Sequence, residues 1–515
     1  MTAKRKQIAR SFFKRLLKVL LPLFSLLFIA GTTAFIIIIV NGYTIDIRNQ
    51  SFIKTGVLNI ETAPSDAAIY IDGEYNGNSN RAIPNIAVGS YKVDISKEGY
   101  FGFSQKIDIR HGLATVVTAP LIKQVGADLI IETAESNLVS TATDGFYILD
   151  GDKEIETKAT LTHYFVFRQL FDIPRPATPE TMTLSIPSGY TFTKITTAPQ
   201  GKNILLELTN TTTKKSSLYI VAFRANQTET ITQSQSILEA YTNQKDFSIE
   251  WTNNPDFLLI DSKTQIISYN IRTGARIILQ EKPSEGMIWT HTNQGIVWIT
   301  RSNVANTYSI SQVSFNGSSI LTPSLSSFTL ASEPEQMWAE SENDRITVII
   351  STETGSYLLG NMFENKNAEY EINSNSTQIL DLPITSVATG GALVRFTETP
   401  VSEIFFYSSK YYFAYLNTDK TMVSMFTYNK RAAEHYIKLG ANTLVSGEEQ
   451  IVGQKWAFGG VYFAYTQNNN LQLTDISGVN TYSVQYGVHS PEFFYDDTAL
   501  IYQGDNHNLY FKALR

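Results

Sequence analysis

Hydrophobic positions in this chain follow three different patterns, and each predicts a different kind of element. Residues 19–40 read VLLPLFSLLFIAGTTAFIIIIV, an unbroken apolar run without a charge. As a helix at ~1.5 Å per residue it spans about 33 Å, enough for the ~30 Å hydrocarbon core of a bilayer. Residues 56–123 alternate apolar and polar over short stretches: Val57-Leu58-x-Ile60, Ile69-x-Ile71, Tyr91-x-Val93-x-Ile95, Ile107-x-Ile109 and Val116-Val117. Turn formers separate them, such as Ala63-Pro64-Ser65-Asp66, Asp72-Gly73, Asn76-Gly77, Glu98-Gly99 and His111-Gly112. That alternation predicts a compact antiparallel β-sandwich. Beyond residue 146 the pattern changes again. Short runs apolar at successive positions return at Ile204-Leu205-Leu206, Phe257-Leu258-Leu259-Ile260, Ile296-Val297-Trp298-Ile299, Ile346-Thr347-Val348-Ile349, Tyr412-Phe413-Ala414-Tyr415, Val461-Tyr462-Phe463-Ala464 and Ala499-Leu500-Ile501-Tyr502.

Each of these runs is followed by a polar turn and a second strand pattern, for example Leu218-Tyr219-Ile220-Val221 or Leu509-Tyr510-Phe511. Between Ile204 and Ala499 the runs recur on average about every 49 residues, the spacing of four-stranded blades arranged side by side. Seven runs predict a β-propeller of about seven blades. One such blade cannot bury both of its faces alone, so neighbours must stack and the ring must close. The last blade is three strands long at Arg515, and a strand from residues 146–168 (FYILDGDKE or THYFVFRQL) is expected to supply the fourth. A string of β-sandwiches is the rival architecture.

The flanks of the apolar run set its orientation. Lys4, Arg5, Lys6, Arg10, Lys14, Arg15 and Lys18 precede it with no acid among them. A cationic flank stays in the cytoplasm and places everything after about Asn41 outside. Thr32-Thr33-Ala34 offers a weak cleavage site, but the run continues to Val40, longer than an ordinary signal core. The expected layout is a cytoplasmic basic tail at 1–18, a transmembrane helix at 19–40 held in the lipid bilayer from Val19 to Val40, a stalk at 41–55, a β domain at 56–123, a connector at 124–145 and the repeat domain at 146–515. The expected location is the cell membrane, single-pass, with the bulk extracytoplasmic.

Composition narrows the function classes. The net charge of −7 argues against non-specific nucleic-acid binding. The absence of cysteine removes disulfides, thiolate metal sites and a cysteine nucleophile. The six histidines, at 111, 163, 291, 435, 489 and 507, are isolated, and no HExxH, Gly-x-Ser-x-Gly or phosphate-binding glycine loop occurs. Asp150-Gly151-Asp152-Lys153-Glu154 lacks the downstream bidentate glutamate of a calcium loop and reads as a hairpin turn. Asp496-Asp497 and Asp505-Asn506 read as turns too. Trp251, Trp289, Trp298, Trp338 and Trp456 lie beside repeat strands, where packing is the expected role and a sugar or peptide platform the alternative.

The segment 56–123 also carries an ordered set of pieces: Gly56-x-Leu58-x-Ile60-x-Thr62-x-Pro64, Ala67-x-Ile69-Tyr70-Ile71-Asp72-Gly73, Gly77, Val88-Gly89-x-Tyr91-x-Val93, Lys97-Glu98-Gly99-Tyr100 and Gly112. On these it resembles the PEGA domain. It departs at the naming tetrapeptide, here Pro64-Ser65-Asp66-Ala67, and at Gly77-Asn78-Ser79, where the family has Gly-x-Thr-Pro and this chain a later Pro84. The resemblance implies an accessory or spacer module on a bacterial or archaeal surface, without catalysis. Pro64, Asp72, Gly73, Gly77, Gly89, Tyr91, Gly99, Tyr100 and Gly112 are then structural residues, the glycines supplying turns and the tyrosines packing. The repeat region is similar to TolB-like propellers through Ala198-Pro199-Gln200-Gly201-Lys202 and the degraded Asn253-Asn254-Pro255-Asp256. No Trp-Asp signature is present.

Together these readings lead to the expectation of a non-enzymatic, membrane-anchored binding or scaffold protein of the cell envelope, whose propeller presents a protein- or glycan-binding face. No cofactor or metal is expected. An envelope protein or cell-wall polymer is the expected partner. A propeller-based carbohydrate-active enzyme and the ectodomain of a sensing complex are the alternatives.

Overall fold

The computed structural model describes residues 22, 24–33, 35–37, 42–46, 51–124, 126, 128–131, 138–151, 157–167, 175–176, 178–199, 203–232, 236–241, 247–252, 254–262, 264–281, 287–292, 294–315, 328–342, 345–360, 384–388, 391–407, 412–427, 440–494 and 498–514. The chain is mainly β and divides into two compact units, one formed by residues up to Lys97 with Gly102–Ala119, the other by Glu98–Phe101 with Pro120–Arg515.

In the first unit, residues 24–33 and 35–37 are helical. Among the described residues no helix is long and apolar enough to cross a membrane; residues 1–21, 23, 34 and 38–41 lie outside the described set. The helical residues are open to solvent on every side, with Phe24, Leu26, Leu27, Phe28, Ile29, Phe35, Ile36 and Ile37 between 48% and 70% exposed.

The rest of this unit holds eight strands in two sheets: β1 (Tyr43–Asp46), β2 (Ser51–Ala63), β3 (Ala68–Ile71), β4 (Glu74–Asn78), β5 (Arg81–Ala87), β6 (Gly89–Ser96), β7 (Phe103–Ile109) and β8 (Ala114–Pro120). One sheet runs β1-β2-β5 with β8 also on β2; the other runs β4-β3-β6-β7. The alternation read from sequence is the burial pattern: Leu58, Ile60, Ile69, Val93, Ile95, Phe103, Ile107, Ile109 and Val117 are buried, and their neighbours face out. The expected stalk at 41–55 is not a stalk. Tyr43–Asp46 pairs with the start of β2, Tyr43 opposite Lys54 and Asp46 opposite Ser51, because Tyr43, Phe52 and Ile53 favour a strand over a linker.

The second unit contains eight sheets in chain order among the described residues, one more than the seven expected. Their second strands are Gly145–Gly151, Asn203–Asn210, Phe257–Ser262, Gly295–Arg301, Arg345–Thr352, Tyr412–Asn417, Tyr462–Gln467 and Ala499–Gln503. Seven of these are the apolar runs; the eighth, carrying Phe146-Tyr147-Ile148-Leu149, has the same signature. Apolar residues at successive positions mean a strand buried on both faces. Parity divides the side chains. In the second sheet Ile204, Leu206 and Leu208 join a core with Tyr147, Leu149, Leu161 and Leu184 of the first. Leu205, between them, turns the other way to Trp251 and Leu258 of the third. The scheme repeats: Leu259 with Ile296, Val297 and Ile299 with Ile346, Val348 and Ile350, Ile349 with Phe413 and Tyr415, Tyr412 and Ala414 with Phe463 and Tyr465, and Tyr462 and Ala464 with Leu500 and Tyr502.

The last sheet then packs on the first. Ala499, Ile501, Leu509 and Phe511 share a core with Phe146, Ile148 and Val166. Eight shared cores in cyclic order close the sheets into a ring, the arrangement of a β-propeller. Each buried side chain contributes roughly 1.5–3 kcal/mol, so every seam is a small core of its own.

The strand that completes the last sheet is β9 (Asp128–Ile131), which pairs antiparallel with Leu509–Ala513. The expected donor, 146–168, instead builds the middle of the first sheet, Gly145–Gly151 pairing with Lys158–Phe167. The reason is physical. Phe146 to Leu149 are apolar on both faces and need a sheet on either side, whereas an outer strand tolerates polar Asp128. The expected connector 124–145 accordingly contains β9 and the first strand of the ring, Leu138–Ala142.

Candidate functional site

The residues singled out by the PEGA resemblance lie in turns and strands. Gly73, Gly77, Gly99 and Gly112 sit at φ between 67° and 97°, the left-handed region that glycine occupies without strain. Gly89 does not: it lies in β6, and an added Cβ would meet only the Tyr91 ring at 3.5 Å. Asp72 closes its turn through a carboxylate that accepts the Lys92 amide at 2.8 Å, while its own amide donates to the Lys92 carbonyl. The Pro64 carbonyl accepts the Thr62 hydroxyl at 2.7 Å. Ser79, where the family pattern departs, is buried against the Thr62 hydroxyl and accepts the Ala67 amide at 3.0 Å, so a serine holds this corner. Tyr91 is half-buried. Glu98–Phe101 groups with the ring residues: Gly99 O accepts the Gln124 amide at 3.0 Å, Tyr100 bridges to Lys123, and Phe101 packs on Tyr482 at 5.3 Å.

The polar side chains that converge from separate sheets lie on the ring's first strands. These are Leu138–Ala142, Tyr190–Thr197, Phe247–Trp251, Met287–His291, Pro334–Glu342, Val401–Tyr407, Ile451–Ala457 and His489–Phe494. Each leads its sheet, and the first strands of sheets one and two, four and five, six and seven, seven and eight, and eight and one approach one another. Side chains stitch them together. The Ser140 and Thr197 hydroxyls lie 3.0 Å apart, and the Thr197 amide donates to Ser140 Oγ. Trp251 Nε1 donates to Thr196 O at 3.0 Å, and Trp456 Nε1 to Phe405 O at 2.8 Å. His291 Nδ1 lies 3.1 Å from Glu250 Oε1. Glu492 faces Lys455 and bonds to Thr141; burial pushes its carboxyl pKa up, and Lys455 and the Thr141 hydroxyl oppose that rise.

This rim gives a ligand carboxylates, an ammonium, an imidazole and hydroxyls, contributed by sheets one, two, three, four, seven and eight. Among the described residues no group of three or more His, Asp and Glu side chains could hold a metal ion. Glu250 and His291 are 41 residues apart, and Lys455 and Glu492 37, so no sequence motif could have announced either pair; only their matching position in successive repeats carries a signal.

Four of the five tryptophans and His489 also lie on these first strands; the remaining described candidates do not. Trp251 and Trp456 are buried in seams between sheets, and Trp289, Trp298 and Trp338 are half-buried against them. Asp150 lies in a strand opposite Thr160, and Asp152, Glu154, His435, Asp496 and Asp497 lie outside the described residues. Asp505 pairs with His489 at 2.8 Å, and Asn506 with the Tyr510 hydroxyl. His163 is buried and stacks on Tyr147 at 4.1 Å. Lys512 is 2% exposed with its amine 3.3 Å from Gln485 Oε1, and burial pulls its pKa down to about 8.

Among known proteins, no curated sequence matches the chain. Solved structures similar to it include an oligogalacturonate lyase from Vibrio parahaemolyticus (10% identity, 76% of this chain and 98% of that one, TM-score 0.35). A eukaryotic initiation factor (10%, 76% and 88%, TM-score 0.43) and the Swd1 β-propeller domain of Myceliophteria thermophila (10%, 63% and 98%, TM-score 0.31) are others. At these scores the likenesses carry no argument about activity or ligand. Residues 55–124 match the PEGA domain family, so the small β unit is similar in sequence to that family.

Proposed function

We propose that this chain is a non-enzymatic, membrane-anchored scaffold that holds a binding ring outside the cell. The observation that carries the reading is the rim of first strands, where sheets far apart in sequence bring charges of both signs and hydroxyls together. Such a surface suits a polar partner, an envelope protein or a cell-wall glycan. The anchor is supported by the basic run ending at Lys18 and by helical residues whose large apolar side chains are exposed. Large apolar side chains exposed on a helix are unfavourable in water and favourable in lipid. The PEGA domain supports a spacer between lipid and ring.

The test is retention of envelope components by the purified full chain. Wild type should retain a specific protein or glycan, and a variant with Glu250, His291, Lys455 and Glu492 all changed to Ala should lose it while the ring still melts as one unit. Retention of nothing by the wild type, or equal retention by both, refutes the rim as the binding face.

A further inference from the structure

We propose that one end of the PEGA domain seats on the lipid surface itself, with Phe52, Val88 and Leu113 entering the headgroup boundary. The proposal rests on the membrane anchoring above and adds a second, peripheral contact to it.

Three segments meet at this end. The Thr55 amide donates to Gly42 O at 2.7 Å, Val88 to Lys54 O at 2.9 Å, and Gly112 to Thr55 O at 2.9 Å. The β1–β2 hairpin, the β5–β6 turn and the β7–β8 turn are thereby held together, and each contributes one exposed large apolar side chain. Phe52 is 59% exposed, Val88 45% and Leu113 55%. Leu58 and Ile60 on β2, Ile109 on β7 and Val117 on β8 are buried, so the adjoining strands have their core and these three side chains lie outside it. Tyr43 packs beside them, edge-on to His111 at 4.6 Å. Lys54 and Arg110 are exposed at the same end.

Chain length identifies the occupant. Ile37, the last described helical residue, is five residues from Gly42. Five residues reach at most about 18 Å, so a helix in lipid keeps this end of the domain within reach of the interface. Aromatic and aliphatic side chains flanked by cations are the composition that binds there, the rings at headgroup depth and the cations on anionic lipid. A second copy of the chain would explain the apolar residues but not why they lie where the helix enters.

The chain has no cysteine, so single-cysteine variants of the full-length protein can each carry one environment-sensitive fluorophore. The sites are Phe52→Cys, Val88→Cys and Leu113→Cys, with Ser65→Cys beyond the far end of β2 as reference and Leu27→Cys in the helix. Each is reconstituted in phosphatidylcholine–phosphatidylglycerol nanodiscs. The expected result is blue-shifted emission at 52, 88 and 113, with quenching by headgroup-nitroxide lipid about twofold or more above that at 65. Lipid quenching at 27 with iodide-accessible probes at 52, 88 and 113 overturns the seating and leaves the anchor standing. Probes at 52, 88 and 113 shielded from both iodide and lipid show a protein partner on this end and overturn it as well. Absence of quenching at 27 by acyl-chain-nitroxide lipid, whose label lies at the depth of that site, overturns the anchor and the seating together.

Discussion

Truncating Phe511 to alanine tests whether the ring behaves as one closed body. Phe511 is 2% exposed and sits where the last sheet meets the first, in a core with Phe146, Ile148, Val166, Ala499, Ile501 and Leu509. Removing a buried phenylalanine ring costs about 3–5 kcal/mol, the lost transfer energy plus the cavity left behind. In a closed ring every seam supports every other, so this loss lowers the stability of all eight sheets. In an open row only the terminal sheets would feel it. The five tryptophans make the distinction measurable: Trp251, Trp289, Trp298, Trp338 and Trp456 lie in the third, fourth, fifth and seventh sheets, none in the two that flank Phe511. With a urea slope of about 3 kcal/mol/M, a loss of ~4 kcal/mol moves the tryptophan-reported midpoint down by roughly 1.3 M. A tryptophan midpoint that stays put, while circular dichroism shows a separate early loss of strand signal, would refute the closed ring. Deleting residues 505–515 is a harsher form of the same perturbation and should abolish the cooperative transition.

Other substitutions give further expectations. Lys512→Met should stabilise the ring at pH 7, because a buried amine with its pKa pulled down to about 8 opposes folding wherever the unfolded chain is protonated. Wild-type stability should therefore rise as pH climbs from about 8 toward 10.5 and stay lowest below 8; the gap caps the effect at about 3 kcal/mol, and residual solvation cuts it to ~1–2. A melting series from pH 7 to 10.5 that is as steep in the variant as in the wild type would contradict this. Gly56→Ala should destabilise the PEGA domain by about 2 kcal/mol or more, since the new Cβ would lie 2.4 Å from Arg110 O and 2.8 Å from Ile109 Cγ2; Gly89→Ala should melt within ~0.5 kcal/mol of wild type or above it. Ser79→Ala should cost about 1–2 kcal/mol by leaving the buried Ala67 amide without its acceptor, and equal melts for the two proteins would show that the corner does not depend on Ser79.

Much of this architecture is visible in the residues because two-sided burial has a simple signature. Strands such as Phe257-Leu258-Leu259-Ile260 cannot be amphipathic when both faces meet another sheet, and seven of eight stood out for that reason. The eighth, Phe146-Tyr147-Ile148-Leu149, has the same signature, yet the need for a closing strand drew it to the wrong sheet. The true closing strand, Asp128–Ile131, is four residues long and opens on an acid, so its pairing is set by the exposed edge of Leu509–Ala513 more than by its own sequence. The PEGA turns were readable at Gly73, Gly77, Gly99 and Gly112 because positive φ selects glycine. Gly89 shows the limit of that rule, since it sits in extended strand. The rim pairs were unreadable, because Glu250 meets His291 only after two sheets have folded and stacked.

The most direct test of the closed ring is a cross-link. Leu129 and Tyr510 are opposed residues of the closing strand pair, and opposed Cα atoms in an antiparallel ladder lie within disulfide range. In a chain without native cysteine, Leu129→Cys with Tyr510→Cys should oxidise to one intramolecular disulfide, seen by mass spectrometry as a peptide from each end of the ring joined together. Two free thiols after oxidation of the folded protein, or 510 joining a cysteine placed within 146–168 instead, would contradict the closure described.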